Sequence, residues 1–142
     1  MIGCLFCRIA AGEEPAEIVL DEAHAVAFLD VRPVFPGHTL LVPRDHHETL
    51  ADIPPTLVEP LFATAQRLAR AVEAGMEADG TFVAMNNRVS QSVPHFHVHV
   101  VPRKRKDGLR GFFWPRTRYA SADDQSAAGG RIRAALSSQP PG

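Results

Sequence analysis

Short apolar runs punctuated by turn residues dominate the first fifty positions, a pattern that predicts strands rather than helices. Glu17–Leu20 reads as a short extended segment, and Ala25–Asp30 as a stronger one, closed by Arg32-Pro33 and Pro36-Gly37. Thr39–Val42 follows that turn and stops at Pro43. The period then changes. Asp52 to Pro55 reads as a helix entrance. From Leu57 to about Val72, the residues Leu57, Val58, Leu61, Phe62, Ala65, Leu68, Ala69 and Val72 recur at helical spacing, with Gln66, Arg67, Arg70 and Glu73 on the other face. Pro60 is tolerable near a helix start and costly deeper inside. The helix is expected to end near Gly75, with Asp79-Gly80 as the next turn. Thr81–Met85 and Phe96–Val101 are the last two predicted strands.

One long helix beside roughly five strands joined mainly by short turns predicts an α+β fold rather than repeated βαβ units. A length of 142 residues suits one domain. We expect it to cover residues 1–120. Ser121 to Gly142 is rich in Ala, Ser, Gly and Pro and reads as a flexible tail.

Hydrophobic residues make up 45% of the chain and charged residues 22%, as in a folded protein with a sizeable core. Fifteen basic against sixteen acidic residues argue against a broad nucleic-acid-binding face. No apolar run approaches the ~20 residues of a membrane span, and the N-terminus lacks the pattern of a secretory signal. A cytoplasmic location is therefore expected. The two cysteines, Cys4 and Cys7, are too close in sequence for a disulfide framework and read as a redox or metal-binding pair.

The chemistry concentrates in His95-Phe96-His97-Val98-His99. In a strand, alternate side chains share a face at ~6.6–6.8 Å spacing, which puts three imidazoles in a row and turns Phe96, Val98 and Val100 toward a core. Buried, hydrogen-bonded histidines would give the same pattern. A neutral imidazole is also a nucleophile whose second nitrogen fixes the tautomer by donating to a carbonyl. Residue order alone leaves open which of the three attacks. For the cysteines, a four-coordinate zinc site needs further ligands, and His24, His38, His46, His47, His95 and His99 are all candidates.

The segment Gln91-Ser92-Val93-Pro94-His95-Phe96-His97-Val98-His99-Val100-Val101-Pro102 closely resembles the histidine-triad (HIT) nucleotide-binding family. Cys4-Leu5-Phe6-Cys7, Ala27–Asp30 and Pro36–His46 are similar to other segments of that family, in the same order, over about the first 100 residues. The resemblance implies a HIT-like fold: a five-stranded antiparallel sheet with one long helix and a short N-terminal helix. It assigns His97 as the nucleophile that forms a nucleotidyl intermediate, and His99, Gln91 and Ser92 as phosphate contacts. As in zinc-containing, bacterial-type members, Cys4, Cys7, His46 and His95 would hold a structural zinc, with His47 as the alternative to His46.

By the same resemblance Asp30 binds the ribose, and Phe6, Ile9 and Phe28 pack on base or sugar, with Leu29 equally suited to the core. Asn86 or Asn87 contacts phosphate or braces the loop; either is also a natural turn residue. The chain departs from many members at Arg88-Val89-Ser90, where they carry a longer, glycine-containing loop. The implied activity is hydrolysis at the α-phosphorus of a nucleoside phosphoramidate or dinucleoside polyphosphate, with no catalytic cofactor. A nucleotidyltransferase, a phosphorylase and a nucleotide-binding regulator are the alternatives. The expected partners are a purine nucleotide or its conjugate and a second copy of the chain. Phe112, Phe113 and Trp114 are candidates for packing in that homodimer, and Arg103 and Lys104 for distal phosphates or a solvated surface.

Overall fold

The computed structural model describes residues 3–110 and 115–140. Residues 1–107 form one compact unit and residues 108–142 a second. Phe112, Phe113 and Trp114 lie outside the described residues.

Within the first unit, helix α1 spans Leu5–Ala10, followed by strands β1 (Ile18–Asp21), β2 (Ala25–Leu29) and β3 (Thr39–Pro43). Helix α2 (Pro55–Gly75) leads to β4 (Gly80–Ala84) and β5 (Val98–Arg103). All pairings are antiparallel, in the order β1-β2-β3-β5-β4. The α+β class and the five-stranded sheet expected from the sequence are present.

Both faces of the sheet are covered, which explains why β2 and β3 are buried almost throughout rather than alternating. One face packs Ala25, Ala27, Leu41, Phe96, Val98 and Val100 against Leu61, Ala65, Leu68 and Val72 of α2. On the other face, Val26, Phe28, Leu40 and Val42 meet Cys4, Phe6 and Ile9. His97 and His99 share this second face, as the period-two pattern requires.

Helix α2 begins at Pro55, where a missing N–H costs nothing. A 3₁₀ turn, Leu50–Asp52, delivers the chain to it, closed by a capping box between Thr49 and Asp52. The Thr49 hydroxyl and N–H both donate to the Asp52 carboxyl and hold it below its ordinary pKa. Pro60 lies inside the helix. Thr56, whose carbonyl would have accepted the missing N–H, is exposed, and the four apolar side chains that α2 buries outweigh a penalty of about 3 kcal/mol. Pro102 is tolerated in β5 because pairing with β3 ends at Val100.

In the second unit, Ala122–Ser137 forms helix α3, within the segment that composition marks as a tail. Ser121 caps it by accepting the Asp124 N–H, and Asp123 and Asp124 complement the positive end of the helix dipole. No residue of α3 is buried.

Candidate active site and metal centre

The strand predicted over Phe96–Val101 begins two residues late, at Val98. Ahead of it the backbone is irregular: the His95 N–H donates to the Val93 carbonyl and the Phe96 N–H to that of His47. Even so, His95, His97 and His99 remain in one row, with 5.0 Å between the His97 and His99 ring centroids. The partners of each ring then set its tautomer.

His95 is fully buried, and its Nε2–H donates to the Pro43 carbonyl at 2.8 Å. A carbonyl only accepts, so Nδ1 carries the lone pair. That atom lies 3.5 Å from Cys4 Sγ and 3.4 Å from Cys7 Sγ, while His46 Nδ1 lies 3.3 Å from Cys7 Sγ. These spacings suit the edges of a tetrahedron with Zn–S of about 2.3 Å and Zn–N of about 2.0 Å. The hydrogen bond to Pro43 is the outer-shell support that metal-binding histidines usually have. Burial lowers the His95 pKa to about 4, which keeps the ring neutral. Burial and the neighbouring Cys4 thiol raise the Cys7 pKa, a shift that a bound cation would reverse.

The other histidines considered as ligands lie outside this cluster. His24 Nε2–H donates to Thr64 Oγ1, whose hydroxyl donates to the Pro60 carbonyl. His47 contributes its carbonyl to Phe96.

His97 is 3% exposed, and its Nδ1–H donates to the carbonyl of His95 at 2.8 Å. Nε2 is thereby left as a lone-pair donor. Burial lowers the pKa of this ring too, so the nucleophilic form prevails at neutral pH.

His99 is set by a partner whose role the sequence did not reveal. The Val34 N–H donates to His38 Nδ1 at 3.1 Å, so the hydrogen of neutral His38 sits on Nε2. That nitrogen donates to His99 Nδ1 at 2.9 Å, which puts the hydrogen of His99 on Nε2, as a donor. Burial lowers the pKa of both rings, that of His99 to about 4. Asp30, His38 and His99 are close enough to resemble a second metal site. The tautomer argues otherwise: a metal on His38 Nε2 would move its hydrogen to Nδ1, against the Val34 N–H. His38 is presented by Gly37, at φ 96°, where a Cβ would come within 2.5 Å of Met76 Cγ. The Pro36-Gly37-His38 turn was the available signal.

A cavity of about 330 Å³ opens over these groups. Phe6, Ile9, Phe28 and Leu40 give it apolar walls, and Asp30, Ser92, His97 and His99 supply polar groups. Phe6 packs edge-on against both Phe28 and His97. Asp30 serves two purposes: Oδ1 accepts the Arg32 N–H in a turn, and Oδ2 lies 3.8 Å from His38 Nε2.

Asn86, Asn87 and Gln91 are not among the residues lining this cavity. Asn87 Oδ1 accepts the Leu50 N–H at 2.7 Å. Gln91 accepts the Arg88 N–H and donates to the Glu48 carbonyl. Both amides thus brace the loop that carries Ser92. Arg88 and Ser90 adopt positive φ, at 72° and 60°, conformations that glycine would take more cheaply. Arg103 forms a two-pronged ion pair with Asp107 at the end of β5.

The family model for the HIT domain matches residues 11–106, more than half of the chain. The chain belongs to the HIT family. An uncharacterised HIT-like protein of Mycobacterium tuberculosis is 38% identical over 141 residues, covering 96% of this chain and 94% of that protein. The adenosine 5'-monophosphoramidase of Saccharomyces cerevisiae is 36% identical over 109 residues, 75% of this chain and 66% of its own. Among solved structures, a HIT family member from Bacillus subtilis has a TM-score of 0.85 and 30% identity, with 99% of each chain covered. A zinc-bound histidine triad protein from Mycobacterium smegmatis has a TM-score of 0.72 and 35% identity, covering 94% of this chain and 98% of its own. No described helix of this HIT protein is long and apolar enough to cross a membrane.

Proposed function

We propose that this HIT protein hydrolyses purine nucleoside 5'-phosphoramidates through a nucleotidyl intermediate on His97. The observation that carries the reading is the tautomer of His97: with Nδ1–H held by the His95 carbonyl, Nε2 offers its lone pair beside His99, Ser92 and Asp30. Phosphoramidase activity in the yeast relative supports the substrate class.

In this reading Asp30 accepts hydrogen bonds from the ribose hydroxyls, and Phe6, Ile9 and Phe28 enclose base and sugar. His97 Nε2 bonds to the α-phosphorus as the phosphorus–nitrogen bond breaks; the leaving amine takes that electron pair and a proton from solvent. Water then attacks phosphorus and yields a proton to solvent as the phosphorus–Nε2 bond breaks; its electron pair returns to Nε2 and the nucleoside monophosphate is released. His99 Nε2–H and the Ser92 hydroxyl donate to the phosphate oxygens as charge builds on them, a contribution of several kcal/mol in comparable sites. Gln91 and Asn87 act in this scheme by holding Ser92 in place.

The donor set of Cys4, Cys7, His46 and His95 suits zinc in a closed structural site. Bound there, the metal ties α1 and the segment after β3 to the start of the histidine row. Metal-binding thiols fit a reducing, cytoplasmic setting. We also expect a homodimer, which light scattering would test.

The deciding experiment is rapid quenching of protein mixed with adenosine 5'-phosphoramidate, followed by intact mass. An adenylyl adduct is expected on wild type and absent from His97→Asn. Normal turnover by that variant, or an adduct elsewhere, overturns the assignment. Nucleotide binding with neither adduct nor product would make the chain a binding protein.

A further inference from the structure

A second concavity, about 510 Å³, adjoins the nucleotide cavity. Leu5, Ser92 and Val93 line both, so they form a shared wall with Ser92 at the junction. Beyond that wall the lining includes Gly3, His46 and Glu48. We propose that this groove receives the group that leaves when phosphorus is attacked, and that Glu48 makes the site selective for a cationic leaving group. This inference rests on the reading of the chain as a phosphoramidase.

Three observations converge. First, the groove starts where the phosphate site ends: the nucleoside side of the cavity is bounded by Phe28 and Asp30, and its border with the groove runs through Leu5, Ser92 and Val93. A substituent on phosphorus that points away from the nucleoside has this open trough beside it. Second, Glu48 is the one formally charged side chain among the described residues that line the groove, and they include no lysine or arginine. A divalent ion held by two thiolates and two neutral imidazoles would add no net charge to its floor. Third, Glu48 is positioned by the active-site loop, since its carbonyl accepts the Gln91 amide at 2.6 Å. Its exposed carboxylate has no ion-pair partner among the described residues. A polyphosphate tail would therefore meet like charge in this groove, and an ammonium-bearing amine would meet its counter-ion. Of the two substrate classes that the sequence left open, the groove favours the phosphoramidate.

The test compares three adenosine 5'-phosphoramidates whose leaving amines have the same length and end in an ammonium, a hydroxyl or a carboxylate. In wild type, kcat/KM should be highest for the ammonium and lowest for the carboxylate. An exposed pair of this kind supports a preference of roughly two- to fivefold over the neutral amine, shrinking with added salt. Glu48→Gln should bring the ratio to unity and Glu48→Lys should reverse it. An unchanged ratio in both variants, or no preference in wild type, overturns the role of Glu48. Failure to cleave any of the three, or the parent phosphoramidate, would instead sink the phosphoramidase reading. The same ratios taken from equilibrium binding of the three conjugates would then decide on Glu48 separately.

Discussion

Replacing His38 tests whether a histidine outside the triad sets the chemistry inside it. Two substitutions separate its two hydrogen bonds. An asparagine carbonyl reaches about as far as Nδ1, so His38→Asn keeps an acceptor for the Val34 N–H and loses the donor to His99. A glutamine amide reaches about as far as Nε2, so His38→Gln keeps the donor and loses the acceptor. Leaving a buried acceptor such as His99 Nδ1 unpaired costs about 1–3 kcal/mol. At 1.36 kcal/mol per decade, that bias favours the Nε2–H tautomer of His99 by about 5- to 160-fold. His38→Asn should lose up to that factor in kcat/KM for adenosine 5'-phosphoramidate, while His38→Gln stays several-fold more active. Nitrogen-15 NMR of the imidazoles reads the cause directly: His99 should carry its hydrogen on Nε2 in wild type and in the glutamine variant, and populate Nδ1–H in the asparagine variant. Equal activities of the two variants, or an Nδ1–H signal for His99 in wild type, would refute the relay.

Three further outcomes are expected. Phe96→Ala empties a fully buried position between the sheet and α2 and should lower stability by about 3–5 kcal/mol in urea denaturation; a change below 1 kcal/mol would mean that the site collapses around the gap. Stability should fall as pH drops from about 6.5 toward 4. His99 has a folded pKa near 4, so in that window the unfolded chain binds a proton that the native state excludes. This ring contributes at most about 3 kcal/mol above pH 6.5, and a flat series of urea midpoints across this window would contradict it. Stripping the metal with a strong chelator should lower the thermal midpoint and expose both thiols to a thiol reagent, with one zinc per chain restoring both. Protein purified without stoichiometric metal, and indifferent to the chelator, would end the zinc assignment.

Much of this molecule is legible in its sequence because the signals are periodic and local. Alternation by two sets His97 and His99 on one face and Phe96, Val98 and Val100 on the other, whatever the strand pairs with. The spacing of Leu61, Ala65, Leu68 and Val72 makes α2 a helix despite Pro60. The motifs, in their order along the chain, carry the family.

What tertiary structure alone decides is which nitrogen of each imidazole carries its hydrogen, because the partners come from distant parts of the chain. Pro43, 52 residues from His95, turns one ring toward the thiols, and His38, 61 residues from His99, makes another ring a donor. Spacing likewise could not choose between His46 and His47; the fold brings Nδ1 of His46 to the thiols and uses the carbonyl of His47 to hold Phe96. By motif Gln91 reads as a phosphate contact, and either Asn86 or Asn87 as a phosphate contact or a loop brace; in the fold the amides of Gln91 and Asn87 close the loop because its backbone groups lie within their reach. Three identical side chains in a row thus acquire three different chemistries from the carbonyls and rings around them.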